Sequence, residues 1–267
     1  MKLAVLGAGK LGEALLSGML RAGRPPDDVL VTTRRAERAK ELTDRYGVRA
    51  VGNAEAAAEA DVLLLTVKPQ DADALTAELA GRLDAGTLLI SFAAGMPTAY
   101  YERRLGDEVP IVRVMTNTPV LVDQAMSAIS AGSHATEQHL ALTEELLAPV
   151  GRVVRVPESQ QDAVTALSGS GPAYFYFLVE AMIDAGILLG LPRAVAADLL
   201  VQTALGSAQM LRDTGEHPVK LREAVTSPAG TTINAIVELE KHGVRAALIA
   251  AIEAARDRSR ELGRAHD

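Results

Sequence analysis

The chain contains no cysteine and no tryptophan, and only three of its 267 residues are phenylalanine. Without cysteine there is no disulfide framework, no thiolate metal site and no cysteine nucleophile. With so few large rings, a core must rest on Ala, Leu, Val and Ile, which suits helices packed closely on one another or on a parallel sheet. Net positive charge is lacking as well: 27 Lys and Arg stand against 34 Asp and Glu, a formal charge of −7. That balance offers no basic footprint for nucleic acid, and the short pairs Arg34-Arg35 and Arg103-Arg104 read, taken alone, as solvated faces. His134, His139, His217, His242 and His266 show no metal-ligand spacing, so they read as surface or capping residues and no metal site is expected. The apolar run at residues 3–6 is too short for a signal-peptide core and leads straight into a glycine turn, so a cytoplasmic location is expected.

What is present divides the chain in two. The length is comfortable for two domains, and with 48% hydrophobic residues a sizeable core needs no staples. Up to residue 156, short β-branched runs at 2–6, 29–33, 49–51, 61–67, 87–92, 111–115, 126–130 and 153–156 read as strands. Residues 11–21 and 36–46 between them read as helices, with Gly47 as a stop signal and Pro69 opening a further helix where its missing N–H costs nothing. Such alternation means βαβ units and helices on both faces of a mainly parallel sheet. After Pro157 the pattern is helical to the end. Ser159 with Asp162 predicts a helix cap, and breaks at 190–192, 215–218, 227–230 and 242–243 give about five helices. The predicted fold is therefore α/β: an N-terminal Rossmann-type, doubly wound, mainly parallel sheet over residues 1–157, followed by an all-helical domain over 158–267. The apolar stretch 173–191 carries Glu180 and Asp184, a costly pair in lipid, so it predicts a core or subunit-interface helix rather than a membrane span.

Three segments carry chemistry. Gly7-Ala8-Gly9-Lys10-Leu11-Gly12 lies between a strand and a helix. In that context Gly7 permits a tight turn, Gly9 lets the backbone approach a pyrophosphate, and Gly12 lets helix pack close on strand, with free N–H groups facing the phosphates. The second strand then ends Thr32-Thr33-Arg34-Arg35, with no carboxylate before Glu37. A hydroxyl and guanidinium groups suit the 2′-phosphate of NADPH better than the ribose hydroxyls of NADH, although NADH stays possible. In the helical half, residues 225–232 combine turn formers with hydroxyls ahead of a helix start, a nest that suits a carboxylate, or else a plain capped turn. Residues 167–174 place Gly169, Gly171 and Pro172 inside what otherwise reads as one long helix, where something, ligand or partner helix, approaches the backbone.

With these segments in view the chain resembles the pyrroline-5-carboxylate reductases, over nearly its whole length. The matching segments fall in the family's order: the 7–12 turn, Thr66-Val67-Lys68-Pro69, Ser91-Phe92-Ala93-Ala94-Gly95, residues 113–119, residues 167–174, and residues 227–232. The resemblance implies a helical domain through which subunits form a homodimer and assemble further, and NADPH-dependent hydride transfer to the cyclic imine L-1-pyrroline-5-carboxylate, giving L-proline. It implies that Leu6, Gly7, Ala8, Gly9, Lys10, Leu11 and Gly12 form the pyrophosphate turn. Thr33 and Arg34 would lie near the adenosine ribose and its phosphate, and Asn53 beside the adenine. Thr66, Val67, Lys68, Pro69, Phe92, Ala93 and Ala94 would line the nicotinamide half. Ser227, Gly230, Thr231 and Thr232 match the loop for the substrate's carboxylate and ring nitrogen, with Thr232 as the catalytic hydroxyl, and Glu158 and Glu223 resemble substrate-side contacts.

Two points qualify the match. The family more often has two glycines after the Ser-Pro pair, where this chain has Ala229 and Gly230; Ala229 is expected to take an ordinary conformation, since a positive φ would strain it. A β-hydroxyacid dehydrogenase on the same two-domain plan would rely on a Lys in the first long helix of the second domain, and residues 159–189 contain no Lys or Arg. A reductase of a related cyclic imine or oxo acid, and a non-catalytic NADP sensor, remain as rival readings.

Overall fold

The computed structural model describes residues 1–264 except 84 and 107. Its strands are β1 (Leu3–Leu6), β2 (Val29–Thr32), β3 (Arg49–Ala50), β4 (Val62–Leu65), β5 (Leu88–Ser91), β6 (Ile111–Met115), β7 (Ala125–Ala131) and β8 (Gly151–Arg155). They form one sheet in the order β3-β2-β1-β4-β5-β6-β7-β8. Every neighbouring pair is parallel except β6 with β7. The parallel pairs up to β6 are joined by crossovers that include α1 (Lys10–Arg21), α2 (Ala36–Tyr46), α3 (Asn53–Glu59), α4 (Pro69–Leu79) and α5 (Thr98–Leu105). The link 116–124 holds only a 3₁₀ turn, too short to cross back over the sheet, so β7 returns antiparallel. A further helix, α6 (Glu137–Leu147), leads into β8.

The central strands are buried on both faces, as near-continuous apolar runs require. Successive residues serve opposite faces. Leu3, Val5, Val62, Leu64 and Ile90 enter one core, while Ala4, Leu6, Leu63, Leu65 and Leu89 enter the other. The sheet order runs outward from β1 in both directions, so the chain switches sides there and opens a crevice beyond the strands' carboxyl ends. Gly47 caps α2 with φ 71°, and Pro69 occupies the first turn of α4, as the sequence predicts.

The expected Ser159 cap is not formed. The chain enters through a 3₁₀ turn, Glu158–Gln160, which places Ser159 inside the turn rather than ahead of a helix. Asp162, in α7 (Gln161–Val164), instead accepts a hydrogen bond from Ser259 Oγ at 2.7 Å. Residues Thr165–Gly169 then form a π-helical turn, closed by Ser170 N–H to Thr165 O. This break places Pro172 in the first turn of α8 (Gly171–Leu188), where proline is tolerated. The approach predicted at the small residues is made by β6: a Cβ on Gly169 would lie 2.3 Å from Met115 Cε.

Contacts divide the chain into two compact units, residues 173–254 forming one and the remainder the other. The final helix, α12 (Val244–Arg264), thus begins in the helical unit and ends among the sheet's neighbours, with Leu262 Cβ 3.5 Å from where a Gly95 Cβ would stand. The helical unit also contains most of α8 together with α9 (Arg193–Thr214), α10 (Pro218–Ala224) and α11 (Thr231–Lys241). Gly186 and Ala196 meet where α8 turns into α9, and little else is buried. Phe175, Tyr176, Phe177, Leu188, Leu189 and Leu205 are all more than 60% exposed within one chain. By length and composition, the helical runs Glu158–Leu188 and Arg193–Thr214 are each able to cross a membrane. Exposed apolar faces of this extent mark an interface.

Candidate active site

The glycine turn begins where β1 runs out. Gly7 sits at φ +79°, and its N–H and that of Ala8 both donate to Thr32 O at the end of β2. A Cβ at Gly7 would fall 2.2 Å from Val67 Cγ1, and one at Gly12 would fall 2.7 Å from Thr66 Oγ1 and 2.9 Å from Val5 Cγ1. Both glycines are therefore required by close packing. At Gly9 the nearest atom to such a Cβ is Gly7 O at 3.8 Å, so that face of the turn is open. Gly9 starts α1 without a side-chain cap, and Glu13 N–H to Gly9 O is the first bond of the helix. Gly9 N–H closes back on Gly7 O at 2.6 Å, and the N–H groups of Lys10, Leu11 and Gly12 are left for a ligand. Thr66 Oγ1 donates to Leu6 O at 3.0 Å and Gly7 O at 3.1 Å, tying the end of β4 to the turn.

A cavity of about 830 Å³ opens on this turn, within the range of roughly 300–1,000 Å³ usual for cofactor sites. It brings together Gly7, Ala8, Gly9, Thr33, Arg34 and Asn53, along with Thr66, Val67 and Lys68. Other residues implied by the resemblance lie off this lining. Leu6 and Gly12 are buried beneath it, and Leu11 is half-buried against the core. Lys10 is exposed at the head of α1, and Pro69 opens α4. Phe92 and Ala93 are buried, and Ala94 is exposed.

The cavity also contains Arg35, whose guanidinium the sequence places at the end of β2, and residues the sequence does not single out, among them Arg38, Asp71, Ala74, Leu75 and Glu78. The last four follow the i, i+3, i+4, i+7 spacing of one helix face, a signal readable once Pro69 marks the start of α4. Arg38 donates to Ala8 O at 3.3 Å and pairs with Glu13 and, at 2.7 Å, with Glu41. Burial opposes charge on Glu13, but hydrogen bonds from Arg38 and Tyr46 and the charges of Arg38 and Arg45 hold its carboxyl below the usual range. This cluster braces α2 against the turn.

Glu158 has both oxygens engaged. They accept from Thr98 N–H at 2.8 Å, Thr98 Oγ1 at 2.6 Å and Arg113 Nη1 at 3.3 Å. The carboxylate thereby holds the head of α5, just beyond the segment 92–97.

In the helical unit, Glu223 is exposed on α10. Ser227, Gly230, Thr231 and Thr232 follow it in one turn feeding α11. Gly230 N–H donates to Ser227 O at 3.1 Å, which closes a β-turn around Pro228 and Ala229. Ala229 sits at φ +58°, which corrects the expectation of an ordinary conformation. Proline second and a positive φ third are what a type II turn demands, and that geometry overrides the alanine's preference. Ala229→Gly is accordingly expected to stabilise the helical unit by about 0.5–1 kcal/mol, read as a higher Tm. A lower Tm would show that the alanine is unstrained. No hydrogen bond within the chain engages the hydroxyls of Thr231 and Thr232 among the described residues.

A switch-point crevice, a glycine turn at a helix start and a cation-lined cavity define a nicotinamide-dinucleotide-dependent oxidoreductase of Rossmann type, carrying an all-helical module after it. Residues 158–262 match the family model described as pyrroline-5-carboxylate reductase dimerisation, and residues 2–95 match that of NADP oxidoreductase, coenzyme F420-dependent. The pyrroline-5-carboxylate reductase of Corynebacterium melassecola is 46% identical, over 98% of both chains. A solved pyrroline-5-carboxylate reductase from Coxiella burnetii superposes with a TM-score of 0.92 at 35% identity, covering 98% of each chain. The Plasmodium falciparum enzyme, solved with NADP bound, superposes with a TM-score of 0.88 at 28% identity and the same coverage. This chain belongs to the pyrroline-5-carboxylate reductase family. Its dimerisation module supports homo-oligomerisation, which accounts for the apolar faces that α8 and α9 leave exposed.

Proposed function

We propose that this protein reduces L-1-pyrroline-5-carboxylate to L-proline with NADPH. The observation that carries this reading is the cavity on the glycine turn: open at Gly9, with hydroxyl and guanidinium groups at the end of β2, and in a chain 46% identical over its length to a pyrroline-5-carboxylate reductase. Its lining fits a phosphorylated dinucleotide, because Arg35 and Lys68 have no carboxylate partner among the described residues. Bound NADPH supplies the hydride for the C=N bond.

The chain's own residues bind and orient. N–H groups of Lys10, Leu11 and Gly12 take the pyrophosphate, Thr33 and Arg34 the 2′-phosphate, and Asn53 the adenine edge. Residues 66–69 and 92–94 form the nicotinamide end, with Glu158 acting through Thr98 to hold the latter segment's far end. N–H groups of the 227–232 turn take the substrate carboxylate, beside Glu223. The Thr232 hydroxyl hydrogen-bonds the ring nitrogen, so that the imine carbon is held for attack. The functional modules are 1–157 and 158–267. The working form is a cytoplasmic homodimer that assembles further through the helical module, with no nucleic-acid or membrane partner.

Oxidation of NADPH with pyrroline-5-carboxylate, with a piperideine carboxylate, and a reverse assay with a 3-hydroxyacid discriminate the readings. Turnover is expected with the five-membered imine. Faster turnover of the six-membered ring would make that the substrate, hydroxyacid oxidation would restore the dehydrogenase reading, and no turnover with any would indicate a sensor.

A further inference from the structure

Arg34 is already held. Its Nη1 and Nη2 donate to Oδ1 and Oδ2 of Asp71 at 2.9 and 3.1 Å, a two-pronged pair between the loop after β2 and the first turn of α4. Both side chains line the dinucleotide cavity. The guanidinium is 83% exposed and the carboxylate 28% exposed. An ion pair so open to water contributes little to stability, so its importance lies in what else Arg34 can bind.

We propose that Asp71 sets the discrimination between NADPH and NADH by competing with the 2′-phosphate for Arg34. A phosphate gripped by Arg34 uses the same planar fork of N–H groups, whose Nη1–Nη2 edge Asp71 occupies. It must displace the carboxylate or accept a like charge beside it, and either weakens NADPH. The 2′-hydroxyl of NADH meets neither obstacle. A carboxylate accepts a hydrogen bond from it, as the acid at the end of the second strand does in NAD sites. Here that strand ends without an acid, at Thr32-Thr33-Arg34-Arg35, and the carboxylate arrives from α4 instead. Asp71 therefore keeps NADH admissible in a site whose cations favour NADPH.

The inference rests on the assignment of Arg34 to the 2′-phosphate, and the test separates the two. Asp71→Asn keeps shape and one acceptor while removing the charge. Dissociation constants of the purified enzyme are measured by titration with NADPH and NADH, and with 2′,5′-ADP and 5′-AMP, which undergo no turnover. In Asp71→Asn, NADPH and 2′,5′-ADP are expected to bind about three- to tenfold more tightly and NADH about two- to fivefold more weakly. In an Arg34→Ala background the gain for the phosphorylated ligands should shrink to the part that comes from like-charge repulsion alone. Weaker NADPH binding in Asp71→Asn would mean that Asp71 positions Arg34 for the phosphate, and unmoved constants would mean that it does neither; both overturn the proposal. Unchanged NADPH affinity in Arg34→Ala alone would overturn the phosphate assignment itself.

Discussion

Gly7→Ala is expected to abolish tight NADPH binding. The new Cβ would lie 2.2 Å from Val67 Cγ1 and 3.3 Å from its Cα, so rotating the valine side chain cannot clear the whole contact. The residue would also have to keep φ +79°, which costs a non-glycine residue roughly 1–2 kcal/mol. Overpacking adds about 1–3 kcal/mol, for a total of about 2–5 kcal/mol. The turn can relieve this only by moving its backbone. Gly7 and Ala8 N–H would then leave Thr32 O, and the head of α1 would lose its aim at the pyrophosphate. Titration should show NADPH affinity falling at least a hundredfold, with a lower denaturation midpoint. Val67→Ala added to Gly7→Ala removes the Cγ1 clash and leaves the φ strain, so it should recover part of the loss. Wild-type affinity in Gly7→Ala would mean that the turn's backbone does not set the cofactor's position.

Thr232→Val should lower kcat/KM for the imine by about 10- to 100-fold, the effect of losing a hydrogen bond to a group that carries charge, about 1.5–3 kcal/mol. Folding stability should barely change. Among the described residues the Thr232 hydroxyl makes no hydrogen bond within the chain, and valine matches threonine in shape and β-branching. Thr232→Ser, which keeps the oxygen, should restore most of the rate. A split of this kind, with rate lost and Tm kept, separates a role at the ring nitrogen from one in starting α11. Unchanged imine reduction in Thr232→Val would remove the hydroxyl from the mechanism and leave the turn's N–H groups as the site's polar contribution.

Both experiments act on segments legible without coordinates. The strands appear within a residue or two of where their β-branched runs lie, and the glycine turn stands where strand pattern gives way to helix pattern. Other features were hidden for identifiable reasons. Alanine carries no mark of a left-handed conformation, so the strain at Ala229 emerges only from the closed turn between Ser227 and Gly230. Glu158 resembles a ligand contact in sequence, yet its partners Thr98 and Arg113 lie on other elements and reach it only when α5 and β6 are in place. The division at 172/173 is equally hidden, since the end of α12 reads as one more helix of the second half until Ser259 meets Asp162.

By itself, then, the sequence determined the parallel sheet, the helical second half and the two backbone turns, because periodicity and turn chemistry act over a few residues. Only the tertiary structure decided which charge meets which. Arg34 and Asp71 are 37 positions apart, and nothing in either neighbourhood announces the other. Partners across that separation are chosen by how strands and helices stack, and that choice turned an arginine apparently free for a phosphate into one already held by a carboxylate.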